Sequence, residues 1–350
     1  MLARESAARG VSVYSYSEFT AARLVRRKKW LLSIKTRDEH EISIESAFVV
    51  DATGRRAVFA AQQQVRKVLL DRSVGLFVFF DFEKNTALTD TYTLVEARED
   101  GWWYSAMLPE DKLVVACFTD ADIASKRGLK QDRAWFEFLH ETLHVKHRVR
   151  NARALTAPVA HSASSHRLER MTGTAWLAVG DAASTFDPLS SQGILKGMRS
   201  GILASYAIGD YFKGSASGLE KYEALIAKEF EDYLSARTDY YRRERRWADS
   251  PFWRRRCDYI TLDPSLMLRS TAAAEESPTE NLSMHLPVTD LLYLCNLCRT
   301  PRAARDVVSE FNCKKRFPDR RVVLALQYLV EEGVINAAAT DVETLATATG

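Results

Sequence analysis

The chain has 350 residues, 46% hydrophobic and 27% charged, with a formal net charge of +3. That balance suits a globular protein with room for more than one core, gives no charge-based case for nucleic acid, and leaves no apolar run long enough to cross a bilayer. Five cysteines make no disulfide framework, and Arg4, Glu5 and Arg9 lie near the start with no apolar stretch behind them, so a cytoplasmic protein with reduced thiols is expected.

In chain order, Leu2 to Arg9 reads as the end of a helix stopped by Gly10. Val11 to Tyr14 alternates like a short strand. Arg23 to Lys35 and Glu41 to Val50 read as two more strands around the turn Arg37-Asp38-Glu39-His40. The second runs into a tight turn, Asp51-Ala52-Thr53-Gly54-Arg55. A β-rich block follows, with strands over Val74 to Phe82, Tyr92 to Glu96, Trp102 to Leu108 and Leu113 to Phe118, and a hairpin turn at Pro109 to Lys112. Asp132 to Arg150 has helical spacing of Trp135, Phe136, Leu139 and Leu143. Trp176 to Val179 is a short buried strand that ends at Gly180-Asp181.

A long helix is expected from Ser191 to Phe212, with Ile194, Met198, Ile202 and Tyr206 on one face and Gly197 and Gly201 permitting close backbone approach. Another runs from Leu219 to Trp247. A linker-like stretch spans Ser270 to Leu286. Beyond it Asp290 to Cys298, Arg302 to Phe311 and Arg321 to Glu332 form three short helices in a winged-helix-like pattern.

The chemistry concentrates in Trp176-Leu177-Ala178-Val179-Gly180-Asp181-Ala182-Ala183 and the following Asp187-Pro188-Leu189-Ser190-Ser191-Gln192-Gly193-Ile194. A buried strand delivers a carboxylate at its carboxyl end, where open α/β sheets bind ligands. An Asp there can accept hydrogen bonds from sugar or ribityl hydroxyls. Pro188 and Gly193 shape a loop whose backbone can lie against a flat ring. The loop enters a helix whose amino terminus offers free N–H groups and partial positive charge.

This run resembles the second FAD-binding motif of the p-hydroxybenzoate-hydroxylase-like flavoprotein superfamily, which includes FAD-dependent monooxygenases and the tryptophan halogenases. The resemblance places Asp181 on the ribityl chain, and Pro188 with the Ser191, Gln192, Gly193 and Ile194 backbone along the isoalloxazine. Asp51, Gly54 and Arg55 resemble the family's other internal motif, near the FAD pyrophosphate. The run Gly101-Trp102-Trp103-Tyr104-Ser105-Ala106-Met107-Leu108-Pro109 is most similar to the monooxygenases of tryptophylquinone cofactor maturation. The implied activity is hydroxylation of an aromatic group by an FAD-dependent monooxygenase, with a tryptophan of a partner polypeptide as candidate substrate and Trp102 and Tyr104 as candidate pocket residues. No catalytic residue is assigned.

The resemblance implies an α/β (α+β) fold: an incomplete Rossmann-like FAD domain at 1–60 and 155–215, an inserted antiparallel substrate sheet at 61–154, a helical region and linker at 216–285, and a winged-helix-like module at 286–340. The glycine-rich Gly-x-Gly-x-x-Gly segment of the family is not found in the sequence. A truncated chain is therefore expected, as a silent fragment or with a partner chain completing the FAD site. The halogenase pattern Trp-x-Trp-x-Ile-Pro is also not found, which disfavours halogenation.

Two further motifs compete. His140-Glu141-Thr142-Leu143-His144, with His147 beyond, matches the zinc-protease pattern, for which the helix must put both histidines on one face. Cys295-Asn296-Leu297-Cys298, with Cys313, lacks the second pair of a structural zinc site. No metal is expected, and the basic run Lys314 to Arg316 is too modest to suggest nucleic acid.

Overall fold

The structure is a computed structural model that describes residues 2–25, 29–82, 90, 92–215, 217–257, 262–271 and 284–338. It is a mixed α/β fold that divides into two units. The first comprises Met1–Arg66, Leu168–Thr185 and Gln192–Glu229, and the second Lys67–Arg167, Phe186–Ser191 and Phe230–Gly350.

In the first unit, Glu18–Val25, Lys29–Lys35 and Glu41–Ser46 form a three-stranded antiparallel sheet. The sequence reading merged the first two into one strand. Val25 instead pairs with Lys29, on an antiparallel neighbour. It also ran the third strand through to Val50, but Val49–Asp51 belongs to a different sheet and pairs in parallel with Trp176–Ala178. Val11 to Tyr14 is not a strand; Val11, Val13 and Tyr14 are exposed. Between the sheets and the Gly193–Phe212 helix lies a core of Trp30, Phe59, Leu168, Trp176, Leu177, Ala204, Ala207, Tyr222 and Ile226. Trp30 and Phe59 meet edge to face at 5.0 Å.

The second unit contains a six-stranded antiparallel sheet ordered Ala152–Ala154, Ser73–Phe82, Lys112–Asp120, Gly101–Leu108 and Leu94–Arg98, with Val159–Ser162 also pairing with Ser73–Phe82. Alternation along Gly101–Leu108 sends Trp103 to one face, against Trp135 and Phe138, and Trp102 to the other, against Phe118 and Trp253. The hairpin after it closes through Glu110 and Asp111, both at positive φ.

The helix expected over Asp132 to Arg150 breaks in two, Asp132–His140 and Val145–Arg148. The cause is Glu96: its buried carboxylate accepts from the amides of Leu143, His144 and Val145, the last two at 2.9 and 3.0 Å, and so caps the second helix. Near the end of the chain, the helices Val288–Leu297, Ala304–Lys314 and Asp319–Glu331 pack with a sheet of Arg302–Ala303, Met267–Ser270 and Ile335–Ala338 around Leu268, Leu294, Phe311 and Leu326. Most of the linker-like stretch lies outside the described residues. Among the described residues no helix is long and apolar enough to cross a membrane.

Candidate functional site

Val49–Asp51 and Trp176–Ala178 run side by side, with Asp51 opposite Ala178 and the Val179 amide donating to the Asp51 carbonyl. Both therefore deliver their turns to the same end of the sheet, the carboxyl end. The turn at Gly54–Arg56 lies next to the turn at Gly180–Ala182. Gly54 and Gly180 have φ of +65° and +56°, which only glycine adopts without strain.

The two acidic residues behave differently. Asp51 is 1% exposed and its acceptors are satisfied internally: Oδ1 by the Thr53 amide and hydroxyl, Oδ2 by the Ala60 amide at 2.9 Å. It orders the turn that carries Gly54 and half-buried Arg55. The Asp181 side chain is 39% exposed, and its Oδ1 accepts from Lys196 Nζ at 2.9 Å.

Gln192, Gly193 and Ile194 stand at the start of the 20-residue helix and are exposed, and the first amides of a helix have no partner within it. Ser191, at φ +52°, turns the chain into it. The helix buries Lys196, Ser200, Ala204 and Ala207. Over its first half the apolar residues are the exposed ones: Ile194 is 83% accessible and Leu195, Met198 and Ile202 more than half, with Tyr206 71% accessible beyond them, while Leu203, Ile208 and Tyr211 pack against the core. This inverts the usual amphipathic arrangement. Lys196 also donates to the Ser184 carbonyl. Burial lowers its pKa from the usual 10.5, against the opposing pull of Asp181. Ser200 Oγ accepts from the Gly180 amide at 2.8 Å and donates to the Gly197 carbonyl at 2.9 Å.

Pro188 and Ser191 belong to the second unit, where Asp187 anchors their loop. Asp187 is 4% exposed; its Oδ1 accepts from the Leu189 amide at 3.0 Å, and its Oδ2 from Tyr241 at 2.8 Å and Arg237 at 3.2 Å. Arg237 also pairs with Asp71 at 3.0 Å. Trp102 Nε1 donates to the same Tyr241 hydroxyl at 3.1 Å, and the Trp102 ring stacks on Phe118 at 4.1 Å. Trp102 is thus a packed residue, 4% exposed, while Tyr104 on the same face is half-buried.

The sequence reading missed Lys196, Ser200, Arg237 and Tyr241. The signal for the first two was a lysine and a serine one helical turn apart on a helix otherwise rich in apolar residues. Arg237 and Tyr241, far along the chain, left no such trace.

The other motifs lose their geometry. His140 ends one helix, Glu141 caps it, and His144 precedes the next, so the two histidines do not share a continuous helical face. Cys295 and Cys298 are packed in the carboxy-terminal core, and burial pushes their thiols up to about 11 and about 12. Among the described residues no group of three or more His, Cys, Asp or Glu is placed to hold a metal.

For FAD the donor set of the first unit fits the flavin half: a carboxylate with one oxygen held from beneath, glycine turns without side chains, and an open helix amino terminus. The comparisons bear on the family and the cofactor. A model of the tryptophan halogenase family matches residues 1–284. LodB of Marinomonas mediterranea, described as an FAD-dependent oxidoreductase, is 31% identical over 239 residues, covering 67% of this chain and 62% of LodB. Among solved structures, the myxobacterial chondrochloren halogenase CndH aligns with a TM-score of 0.64 at 22% identity over 73% of this chain and 61% of its own. QhpG, a peptidyl tryptophan dihydroxylase essential for tryptophylquinone cofactor biogenesis, aligns at 0.54 with 20% identity, covering 94% of this chain and 77% of QhpG. At such identities the structural likeness concerns the fold. The chain spans less than two thirds of the length of LodB and of CndH. On the family match, this chain belongs to the tryptophan halogenase family of flavin-dependent oxidoreductases, whose cofactor is FAD.

Proposed function

We propose that this chain carries the flavin-facing and substrate-facing parts of an FAD-dependent monooxygenase that hydroxylates an aromatic group, with a tryptophan side chain of a partner polypeptide as its substrate. The observation that carries the proposal is the pair of adjacent parallel strands that bring the Asp51 turn and the Gly180-Asp181 turn to one sheet end, beside an open helix amino terminus. The substrate class follows the Trp102-Trp103-Tyr104 run and draws support from QhpG, which is described as acting on a peptidyl tryptophan.

Asp181 would hold the ribityl chain, and Gly193 and Ile194 would present amides to the pyrimidine edge. Pro188 and Ser191 would line the ring, and Gly54 and Arg55 would face the pyrophosphate. Reduced FAD supplies the oxygen activation when bound. The chain's own work is binding, orientation and exclusion of water. The remaining grip on pyrophosphate and adenine is assigned to a glycine-rich βαβ unit that these residues do not include, on the same polypeptide or on a partner chain. Two features support this: among the described residues Val49–Asp51 is the outer strand of its sheet, and the Gly193–Phe212 helix leaves its apolar face exposed. The same features favour a second reading, in which the chain alone is a non-catalytic binding half.

The test is an FAD titration of the purified chain, followed by flavin fluorescence, with Asp181→Ala as control. Binding that Asp181→Ala abolishes supports the proposal. Oxygen consumption with a tryptophan-containing peptide then tests turnover, and mass spectrometry of the product separates hydroxylation from halogenation. A folded chain that takes up no FAD supports the non-catalytic reading.

A further inference from the structure

The first half of the long helix at the flavin-side turns buries a lysine and a serine and exposes its apolar residues, and this reversal has a local cause. A lysine near a helix amino terminus opposes the helix dipole, and its burial forfeits hydration. A helix with Ile194, Leu195 and Met198 available would ordinarily bury those and leave Lys196 in water. Lys196 is instead 3% exposed. Its Nζ donates to Asp181 Oδ1 at 2.9 Å and to the Ser184 carbonyl, both in the stretch that follows Gly180. One helical turn on, Ser200 holds the Gly180 amide at 2.8 Å. Two side chains at i and i+4 thus grip one turn, one by its carboxylate and the other by its backbone. Other charges acting on Lys196 are Arg55 and Glu229, and Glu229 is itself paired with Arg199 at 3.2 Å.

We propose that Lys196 is a positioning residue of the flavin site: its buried ammonium holds one oxygen of Asp181 from beneath and so fixes the other for a hydroxyl of the ribityl chain. This rests on the proposed role of Asp181 as the ribityl ligand. A short Asp side chain left 39% exposed would otherwise sample its rotamers in water, and each hydroxyl contact would have to order it first. The ammonium removes that cost before the ligand arrives. It need not touch FAD to do so, and its place beneath the turn keeps it out of the ligand's path.

The test is an FAD titration of the full chain in five forms: wild type, Lys196→Met, Asp181→Asn, the double variant, and Lys196→Arg, with thermal melting of each in the absence of FAD. Lys196→Met is expected to weaken FAD binding at least tenfold while melting close to wild type. The double variant should bind no more weakly than Asp181→Asn alone, because the proposed effect of the lysine on FAD runs through that carboxylate. Lys196→Arg should recover most of the affinity. Should Lys196→Met fail to fold, Ser200→Ala, which releases the Gly180 amide alone, is expected to show a smaller loss of affinity; wild-type affinity there would overturn the two-point grip. Wild-type affinity in Lys196→Met, with binding lost in Asp181→Asn, overturns this proposal and leaves the reading of Asp181 intact. Wild-type affinity in Asp181→Asn, or no FAD uptake by the wild type, removes both. Equal losses in Lys196→Met and Lys196→Arg, with lowered melting, reduce the lysine to a structural ion pair.

Discussion

Single residues show how this fold handles buried charge. Arg256 is 1% exposed and pairs with Asp120 at 2.6 Å, while Arg255 reaches the same carboxylate at 2.9 Å. Burial works against the ionised Asp120, but the two guanidiniums outweigh it and hold its carboxyl below the usual 3.8. Asp120→Asn leaves Arg256 buried without its counter-ion and should cost about 3–5 kcal/mol in urea denaturation at neutral pH. The folded pKa is depressed, so the contribution of Asp120 is fully present above 3.8 and is lost as pH falls through the lower folded value. The stability gap between wild type and variant should therefore persist down to that range and close only below it. A gap that closes near neutral pH would contradict the assignment. The same economy explains Asp187, whose carboxylate is occupied by Tyr241, Arg237 and a backbone amide, and which therefore anchors its loop.

At the scale of elements, the paired strands Gly101–Leu108 and Lys112–Asp120 depend on one position. Gly101 has φ +152°, and a Cβ there would stand 2.1 Å from the Phe118 carbonyl oxygen. That contact is with backbone of the neighbouring strand and cannot be relieved by a rotamer change. Gly101→Ala should cost about 3 kcal/mol, read by thermal melting, because the neighbouring strand must shift and Trp102 with it. A variant that melts like wild type would mean that the two strands pair more loosely than Trp102↔Phe118 requires. The broken helix over residues 132–148 makes a related point. The helical spacing was real, yet three amides captured by Glu96, distant in sequence, ended one helix and began another.

For the whole molecule, the outstanding feature is apolar surface where a core would be expected. Ile194, Leu195, Met198, Ile202 and Tyr206 are all more than half exposed on one helix, and among the described residues Val49–Asp51 is an outer strand with Val50 43% exposed. Contiguous apolar surface and an open strand edge both favour association. Sedimentation velocity of the chain alone should show concentration-dependent association, and Ile194→Asp combined with Ile202→Asp should reduce it while changing folding stability by no more than about 0.5 kcal/mol, as expected for exposed positions. A wild-type monomer at all concentrations would contradict this.

The sequence by itself determined four of the six strands of the large sheet, the Gly180-Asp181 turn and the long helix after it, because alternation, glycine turns and helical spacing are local properties written in neighbouring residues. It also carried the family resemblance that the comparisons bear out. It did not determine which side of the long helix would be buried. Helical spacing identifies a face of Ile194, Met198, Ile202 and Tyr206 but not whether anything covers it, and the structure turns Lys196 and Ser200 inward instead. Nor could it separate Asp51 from Asp181, both acidic residues at strand ends. Only the tertiary structure decided that Asp51 is consumed by Thr53 and Ala60 while Asp181 stays half-open above a buried lysine, because which groups reach a carboxylate is set by how the chain folds and packs, not by residue type.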